Sequence, residues 1–493
     1  MKLSDWNLEF LPSIYWMKTP PFWGWPHISD SGSICVNDKE GLDYDPDDFE
    51  GVLGWLVCEA AKLLHENQLL SEDKRLQAFS DELEGYLKCC GAKPVRCDAL
   101  LANSQQLYAE VRTHKERARY VSTVLRVNTG STSTSSTQQE KLGFLDVSIQ
   151  QLPRLRTNLD PEWRDEFLSR LDSSQYDVAL STEYRGLVLR TANSYGAALV
   201  LVYWGRKQKK DEWQAHTYYL QRQDRDYVIQ RTGGSTYDRH VVIAGLGAIG
   251  SRVAEHLALA GVKKLTLVDH DKFSADNLGR HLLGMDAIGE HKITELEKHL
   301  KNRIPGLNIS AQKAHINKFL RKGFPQGTDA IVLTTGNSPT ERAIIRRAYQ
   351  EDWPTLIVSA SVEAWGLGGH AIAMRPGSPG CLECLYYDPD FQNPVAQMRT
   401  SLIAPGQSVT RQLTGCGAFT PYSSIDANRT AMLAVERVLD NLSGYSRWAG
   451  KIEQARQAGI QPSATYRSLA EARIPLTLEP PDYIQPECIC CSN

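Results

Sequence analysis

An α/β fold with a Rossmann-like C-terminal half is predicted by three observations. A short apolar run, Val241-Val242-Ile243-Ala244, reads as a buried strand and enters Gly245-Leu246-Gly247-Ala248-Ile249-Gly250. A helix-compatible stretch then leads to Leu265-Thr266-Leu267-Val268-Asp269, a second strand ending on a carboxylate. The third observation is spacing: Asp269 lies 24 residues beyond Gly245, near the roughly 20 of a dinucleotide-type crossover. Glycines let the backbone turn tightly and approach phosphates, a helix N-terminus offers unpaired N–H groups to anionic oxygens, and the strand-end carboxylate takes a ribose hydroxyl. Gly245, Gly247, Gly250 and Asp269 are the nucleotide-binding residues this pattern predicts.

A GxGxxG alone is shared by dehydrogenases, methyltransferases and plain tight turns. The residues downstream are more selective: Asp271, Asn277, Arg280 and Lys292 suit a polyphosphate and a developing negative charge rather than a nicotinamide. Arg supplies a rigid fork for phosphate oxygens, and Lys a mobile point charge. Taken singly, each would be a solvated charge on a loop or helix.

The order Asn277-Leu278-Gly279-Arg280 followed by Lys292 resembles the adenylating domain of ubiquitin-activating enzymes and of their bacterial ThiF/MoeB-type relatives that serve molybdopterin and thiamin synthesis. The resemblance runs over residues 234–493. It implies that ATP, with magnesium, is attacked at its α-phosphate by a carboxylate, giving an acyl-adenylate and pyrophosphate, with Arg280 and Lys292 as the catalytic cations. It also implies a magnesium-holding Asp after the next strand. Here Asp329-Ala330-Ile331-Val332-Leu333 runs into Thr334-Thr335-Gly336-Asn337, with Gly336 where that carboxylate is expected. Either the metal is held otherwise, by Asp271 or through water, or the domain adenylates poorly. Family members work as pairs, so a homodimer is expected, with Arg231 or Arg239 completing the other subunit's pocket.

Two Cys-x-x-Cys knuckles, Cys381/Cys384 and Cys488/Cys491, have the spacing that places four thiolates around a tetrahedral zinc. Free cysteines or a disulfide are the alternatives, and Cys490 could replace either of its neighbours in the second knuckle. The family resemblance implies a structural zinc in this place. Between the knuckles, Gly415-Cys416-Gly417 precedes a helical pattern carrying Ala431, Leu433, Ala434, Val435 and Leu439. A cysteine between glycines ahead of a helix is accessible and has a lowered thiol pKa. By the resemblance Cys416 is a thioester-forming nucleophile; a buried structural cysteine is the competing reading.

A second resemblance covers the N-terminus. Trp25-Pro26-His27-Ile28-Ser29-Asp30-Ser31-Gly32-Ser33-Ile34-Cys35 is similar to the stretch of ubiquitin-conjugating enzymes between their His-Pro-Asn motif and catalytic cysteine, with the same nine residues from Pro26 to Cys35. It implies that Cys35 carries a thioester. His27 stands where the family has its oxyanion-supporting Asn, and only 24 residues precede Trp25. His27 donates the same hydrogen bond or the site has lapsed. Downstream, 45–48 is expected to cap a helix burying Leu53, Leu56, Ala60, Leu63 and Leu64, with Cys58 a small core residue. Cys89, Cys90 and Cys97 have no trustworthy ligand spacing.

These readings divide the chain into an α+β conjugating-like domain (1–110), a mixed α/β linker domain (111–233) and the adenylating domain (234–493). Within the second, the Ser/Thr-rich stretch 129–137 reads as a mobile loop, and 186–190, 197–203, 215–220 and 227–230 as short strands. The 493 residues are 42% hydrophobic, enough for several cores, and the formal charge of −3 points to neither nucleic acid nor an anionic membrane. No long apolar run or signal peptide is visible, so a cytoplasmic protein is expected, where 11 cysteines stay reduced or bind metal.

A conjugating-type module ahead of an activating-type module resembles the fusion proteins of bacterial CBASS antiphage operons. That resemblance implies as partners a ubiquitin-like protein or cyclic-oligonucleotide synthase that donates a C-terminal carboxylate, and a protein that accepts it on an amine. Two other readings compete: a sulfur-carrier or small-molecule adenylyltransferase with an N-terminal docking region, and a nucleotide-binding scaffold.

Overall fold

The computed structural model describes residues 13–17, 23–36, 45, 47–97, 106–116, 119–129, 137–194, 196–205, 212–223, 225–304, 306–388, 393–412 and 418–492. These form two compact units, Met1–Arg231 and Thr232–Asn493.

The first unit begins with helices α1 (Phe49–Leu69), α2 (Glu72–Asp81) and α3 (Leu83–Cys89). Asp48 caps α1, its side chain accepting the Gly51 N–H. The buried stripe is Val52, Leu56, Ala60 and Asn67, so Leu53 and Cys58 are exposed, contrary to the sequence expectation. The helix is apolar nearly all round, so composition alone did not select its inner face.

Strands come next in the chain: β1 (Lys93–Cys97), β2 (Leu107–Glu116), β3 (Arg119–Asn128) and β4 (Gln138–Asp146). Helices α4 (Pro161–Ser169) and α5 (Ser173–Leu180) separate these from β5 (Gly186–Asn193), β6 (Gly196–Tyr203) and β7 (Ala215–Arg222). Their order is β1-β3-β2-β4-β5-β6-β7, and β7 pairs back onto β1, Tyr218–Arg222 beside Lys93–Cys97, which closes the sheet into a barrel. Alternation explains the burial: Leu199, Leu201 and Tyr203 of β6 join one apolar cluster, while Ala198, Val200 and Val202 join a second that contains Phe79, Leu83 and Leu87 of the helices. The barrel thus unites strands from both sides of residue 110. The run 227–230, expected as a strand, lies in helix α6 (Arg225–Arg231), where Arg225 and Ile229 are buried one turn apart. Its few apolar residues suit either period, and the buried i, i+4 pair selects the helix. Residues 130–136, expected as a mobile loop, lie outside the described residues.

The second unit is a twisted sheet built from β8 (Tyr237–Ala244), β9 (Val262–Val268), β10 (Asn308–Gln312), β11 (Ala330–Leu333), β12 (Leu356–Val362), β13 (Gly368–Met374), β14 (Gly444–Ala449) and β15 (Thr477–Leu478). The spatial order is β10-β9-β8-β11-β12-β13-β14-β15; the first five are parallel and the rest antiparallel. The second half of β8, Val241–Ala244, and the whole of β11 are apolar runs buried on both faces, as parallel strands covered by helices must be. One face packs α7 (Ala248–Leu259), α8 (Lys292–Arg303) and α10 (Ser424–Asp440); the other packs α9 (Ser338–Gln350). Chain direction across the sheet reverses between β8 and β11, so a crevice opens beyond their C-terminal ends. No helix among the described residues is long and apolar enough to cross a membrane.

Candidate active site and cysteine centres

The crevice holds a cleft of about 170 Å³ lined by Gly245, Gly247, Asp269, Asp271, Asn277, Arg280 and Lys292, with His281, Thr334, Thr335 and Tyr422. Seven of the eight residues expected to bind nucleotide therefore meet in one place. Gly250 does not line it. A Cβ there would stand 1.9 Å from the Gly245 oxygen, so this glycine lets α7 pack against the loop that shapes the cleft. Gly245 has φ +86°, and a Cβ would meet the Thr334 carbonyl oxygen at 2.6 Å. Gly247 is the N-cap of α7 and offers no side-chain cap, leaving the first N–H groups of the helix available to an anion.

Asp269 is buried, and each oxygen accepts a backbone N–H: Leu246 at 2.6 Å and Asp271 at 2.7 Å. It therefore fixes the glycine loop and the strand end together. Beneath it, Nδ1 of His281 accepts the Leu283 N–H at 3.0 Å, so Nε2 carries the proton and donates to the Leu246 carbonyl at 2.7 Å. Burial pushes the His281 pKa down to about 4, helped by the neighbouring Lys292 and Arg252 cations. Sequence reasoning missed His281; its position next to Arg280 was the available signal.

Two cations frame the cleft. Lys292, the first residue of α8, is buried, and its Nζ lies 3.0 Å from Oδ2 of the more exposed Asp271. Arg280 lies over the rings of Phe419 and Tyr422, at 5.4 and 4.7 Å, and donates to the Thr420 carbonyl at 3.1 Å. It thereby joins the cleft to the segment that comes after Cys416, which itself lies outside the described residues. Asn277 accepts the Ser274 N–H at 3.0 Å, folding the turn that presents Arg280.

At the end of β11, Gly336 has φ +68° and open space around its missing Cβ. The carboxylate nearest this loop in the hydrogen-bond network is Glu341, fully buried below it. One oxygen accepts the N–H and hydroxyl of Thr335, both at 2.8 Å, and the other accepts Ser359 Oγ at 2.6 Å. Burial raises its pKa, opposed by those hydrogen bonds. Glu341 thus shapes the loop and does not stand in for the expected metal carboxylate. Asp269, His270 and Asp271 bring ligand atoms within 4.8 Å of one another, and of the two carboxylates only Asp271 is exposed. Arg239, expected to reach a second subunit, caps α10 in its own chain through the Val438 and Leu439 carbonyls at 2.7 and 2.9 Å.

Cys381, Cys384, Cys488 and Cys491 form one cluster, with Sγ separations of 3.6 Å for Cys381–Cys488 and 3.4 Å for Cys384–Cys491. Sulfurs about 2.3 Å from a tetrahedral zinc stand roughly 3.8 Å apart, so this donor set fits one. Cys490 is outside the group. The knuckle is locked onto α9: Glu383, between Cys381 and Cys384, accepts paired hydrogen bonds from Arg342 and Arg346 at 2.7–3.0 Å. Burial would raise the Glu383 carboxyl, but the two guanidiniums hold it below the usual range.

In the first unit, Cys35 is exposed and lines a cavity of about 870 Å³ that also reaches His27, Phe79, Asp81, Glu82, Glu84, Tyr86 and Arg231. The Cys35 N–H donates to the His27 carbonyl at 2.8 Å. Asp30, in the turn between them, is held by Tyr86 Oη at 2.9 Å and by Arg154. Arg231 lies 3.6 Å from Glu84 of the same unit.

The chain is 29% identical over 192 residues to the sulfur carrier protein ThiS adenylyltransferase of Escherichia coli, a match covering 38% of this chain and 74% of that one. It is 27% identical over 229 residues to the ATP-dependent ubiquitin transferase-like protein Cap2 of Pseudomonas aeruginosa, covering 45% of this chain and 40% of that one. A crystal structure of Escherichia coli MccB with succinimide aligns at a TM-score of 0.35 and 18% identity, over 52% of this chain and 66% of that one. Residues 235–462 match the model of the ThiF family.

Proposed function

We propose that this chain activates the C-terminal carboxylate of a protein with ATP and passes the acyl group through thioesters to an amine. The carboxylate attacks the α-phosphate in the cleft. Asp269 holds the ribose edge, the N-terminus of α7 receives phosphate oxygens, and Arg280 and Lys292 neutralise the charge that moves onto pyrophosphate. Magnesium would be held by Asp271, directly or through water, in place of the carboxylate that Gly336 lacks. Cys416 then attacks the acyl-adenylate and releases AMP, and thioester exchange moves the acyl group to Cys35, freeing Cys416, for aminolysis. A zinc held by Cys381, Cys384, Cys488 and Cys491 ties the end of the chain to its domain and does no chemistry. The enzyme acts as a homodimer in the cytoplasm, in antiphage defence, on a ubiquitin-like protein or a cyclic-oligonucleotide synthase.

The observation that carries this reading is the meeting of Gly247, Asp269, Arg280 and Lys292 in one cleft, although they are spread over more than forty residues. The likeness to ThiS adenylyltransferase favours a second reading, adenylation of a sulfur carrier with the first unit used for docking. One experiment separates the two. The full chain is incubated with ATP, magnesium and the proteins encoded beside it, then run on a non-reducing gel. A thiol-labile adduct that survives Cys35→Ala but not Cys416→Ala supports the relay from Cys416 to Cys35. Pyrophosphate release without any adduct on Cys35 supports the second reading, and neither product refutes adenylation.

A further inference from the structure

His27 is held in an unusual way. Its backbone is left-handed, φ +62°, a conformation costly for a residue with a Cβ and most common where function requires it. A single carboxylate, Glu82, holds both ends of the residue: one oxygen accepts the His27 backbone N–H at 2.6 Å and the other lies 3.0 Å from Nε2. The carboxylate favours the proton on Nε2. The lone pair of the neutral ring then sits on Nδ1, which has no hydrogen-bond partner among the described residues. His27 and Cys35 are joined by the 2.8 Å backbone hydrogen bond and line the same cavity. The charged groups lining that cavity are Asp81, Glu82 and Glu84 against Arg231, a balance that attracts a cation.

We infer that His27 is the general base for aminolysis at Cys35, that Glu82 is its positioning residue, and that the cavity admits a primary alkylamine such as a lysine side chain. The inference rests on the reading of Cys35 as a thioester carrier. An ammonium drawn into the cavity first gives one proton through Nδ1 of His27 to solvent; the neutral amine nitrogen then bonds to the acyl carbon, the C–S bond breaks and one further N–H proton passes to Nδ1 of His27. The imidazolium, stabilised by Glu82, returns that proton to the departing Cys35 thiolate. The products are an amide and a free thiol. The asparagine expected at this position has no such basic nitrogen, so the substitution at 27 changes the chemistry as well as the hydrogen bond.

The test bypasses ATP. The full-length protein is acylated with an acetylglycine aryl thioester, occupancy of Cys35 is read by peptide mass spectrometry, and discharge is followed with free lysine or with hydroxylamine. Hydroxylamine is already neutral at neutral pH and needs little base assistance. His27→Gln should still be acylated but should lose about 100-fold in discharge to lysine, while discharge to hydroxylamine stays within about threefold of wild type. Glu82→Gln keeps an acceptor for the His27 backbone but turns an amide N–H₂ toward the ring. It should move the ring proton to Nδ1 and reproduce the lysine defect. Equal losses with both nucleophiles would mean a merely structural role and would overturn the inference, as would unchanged lysine discharge in both variants. Failure of wild-type Cys35 to accept or release the acyl group also overturns it, whereas the adenylation reading is judged separately by pyrophosphate release.

Discussion

The two candidate sites of this chain are built on opposite plans. The cleft at Gly247 is small and polar, most of its residues succeed one another between Gly245 and Lys292, and several are pinned by backbone: Asp269 by two N–H groups, His281 by Leu246 and Leu283, Arg280 by Thr420. The Cys35 cavity is about five times larger, and its groups are joined by side-chain contacts between distant segments, such as His27–Glu82 and Asp30–Arg154. A site that stabilises a developing phosphate charge gains from rigid, pre-aimed donors. A site that must admit another protein's side chain needs room.

The contrast sets out what should break each part. Lys292→Ala and Arg280→Ala should each lower adenylation, measured as ATP–pyrophosphate exchange with the cognate carboxylate donor, by about 100- to 1,000-fold. Exchange at wild-type rate in either variant would remove the cations from the mechanism. Next in size, Gly250→Ala places a Cβ 1.9 Å from the Gly245 oxygen, and by the scale of buried overpacking should cost about 1–3 kcal/mol or more. Denaturant titration gives that number, and a neutral result would mean the loop relaxes freely.

The third prediction concerns pH. His281 is neutral when folded, with its pKa lowered from 6.5 to about 4, so below pH 6.5 the unfolded chain binds a proton that the folded one refuses. Stability should therefore be intact above pH 6.5 and decline from there to about pH 4, by about 3 kcal/mol in all. His281→Gln should lack this part of the slope, and an identical slope in both proteins would show that other groups set it. Smallest, Gly336→Asp restores a carboxylate in open space, and should improve the apparent magnesium affinity of the exchange reaction by about threefold, limited by the left-handed φ that Asp tolerates only in part. An unchanged magnesium dependence would mean that the cation sits away from this loop.

Legibility in the sequence divided along the same line. The strand-loop-helix at 241–250, the carboxylate at Asp269 and the paired knuckles could be read because local order and ligand spacing encode them. Helix α10 was likewise foreshadowed by its apolar repeat at Ala431, Ala434 and Val435. The barrel could not be read, because its closure depends on parallel pairing between 93–97 and 218–222, more than a hundred residues apart. Nor could the hold of Glu82 on His27, 55 residues away, since a glutamate at the junction of two helices carries no local mark of its partner. Gly250 was expected to bind nucleotide; in the structure it packs against the Gly245 oxygen and does not line the cleft, a distinction that the pattern alone does not carry.

The most direct test of the central claim is calorimetric titration of the full-length protein with magnesium-ATP, repeated on Lys292→Ala and Gly250→Ala. Saturable binding at one site per chain, lost or weakened at least tenfold in both variants, is the result this account predicts. No binding, or binding indifferent to both substitutions, would place the nucleotide elsewhere or nowhere and contradict it.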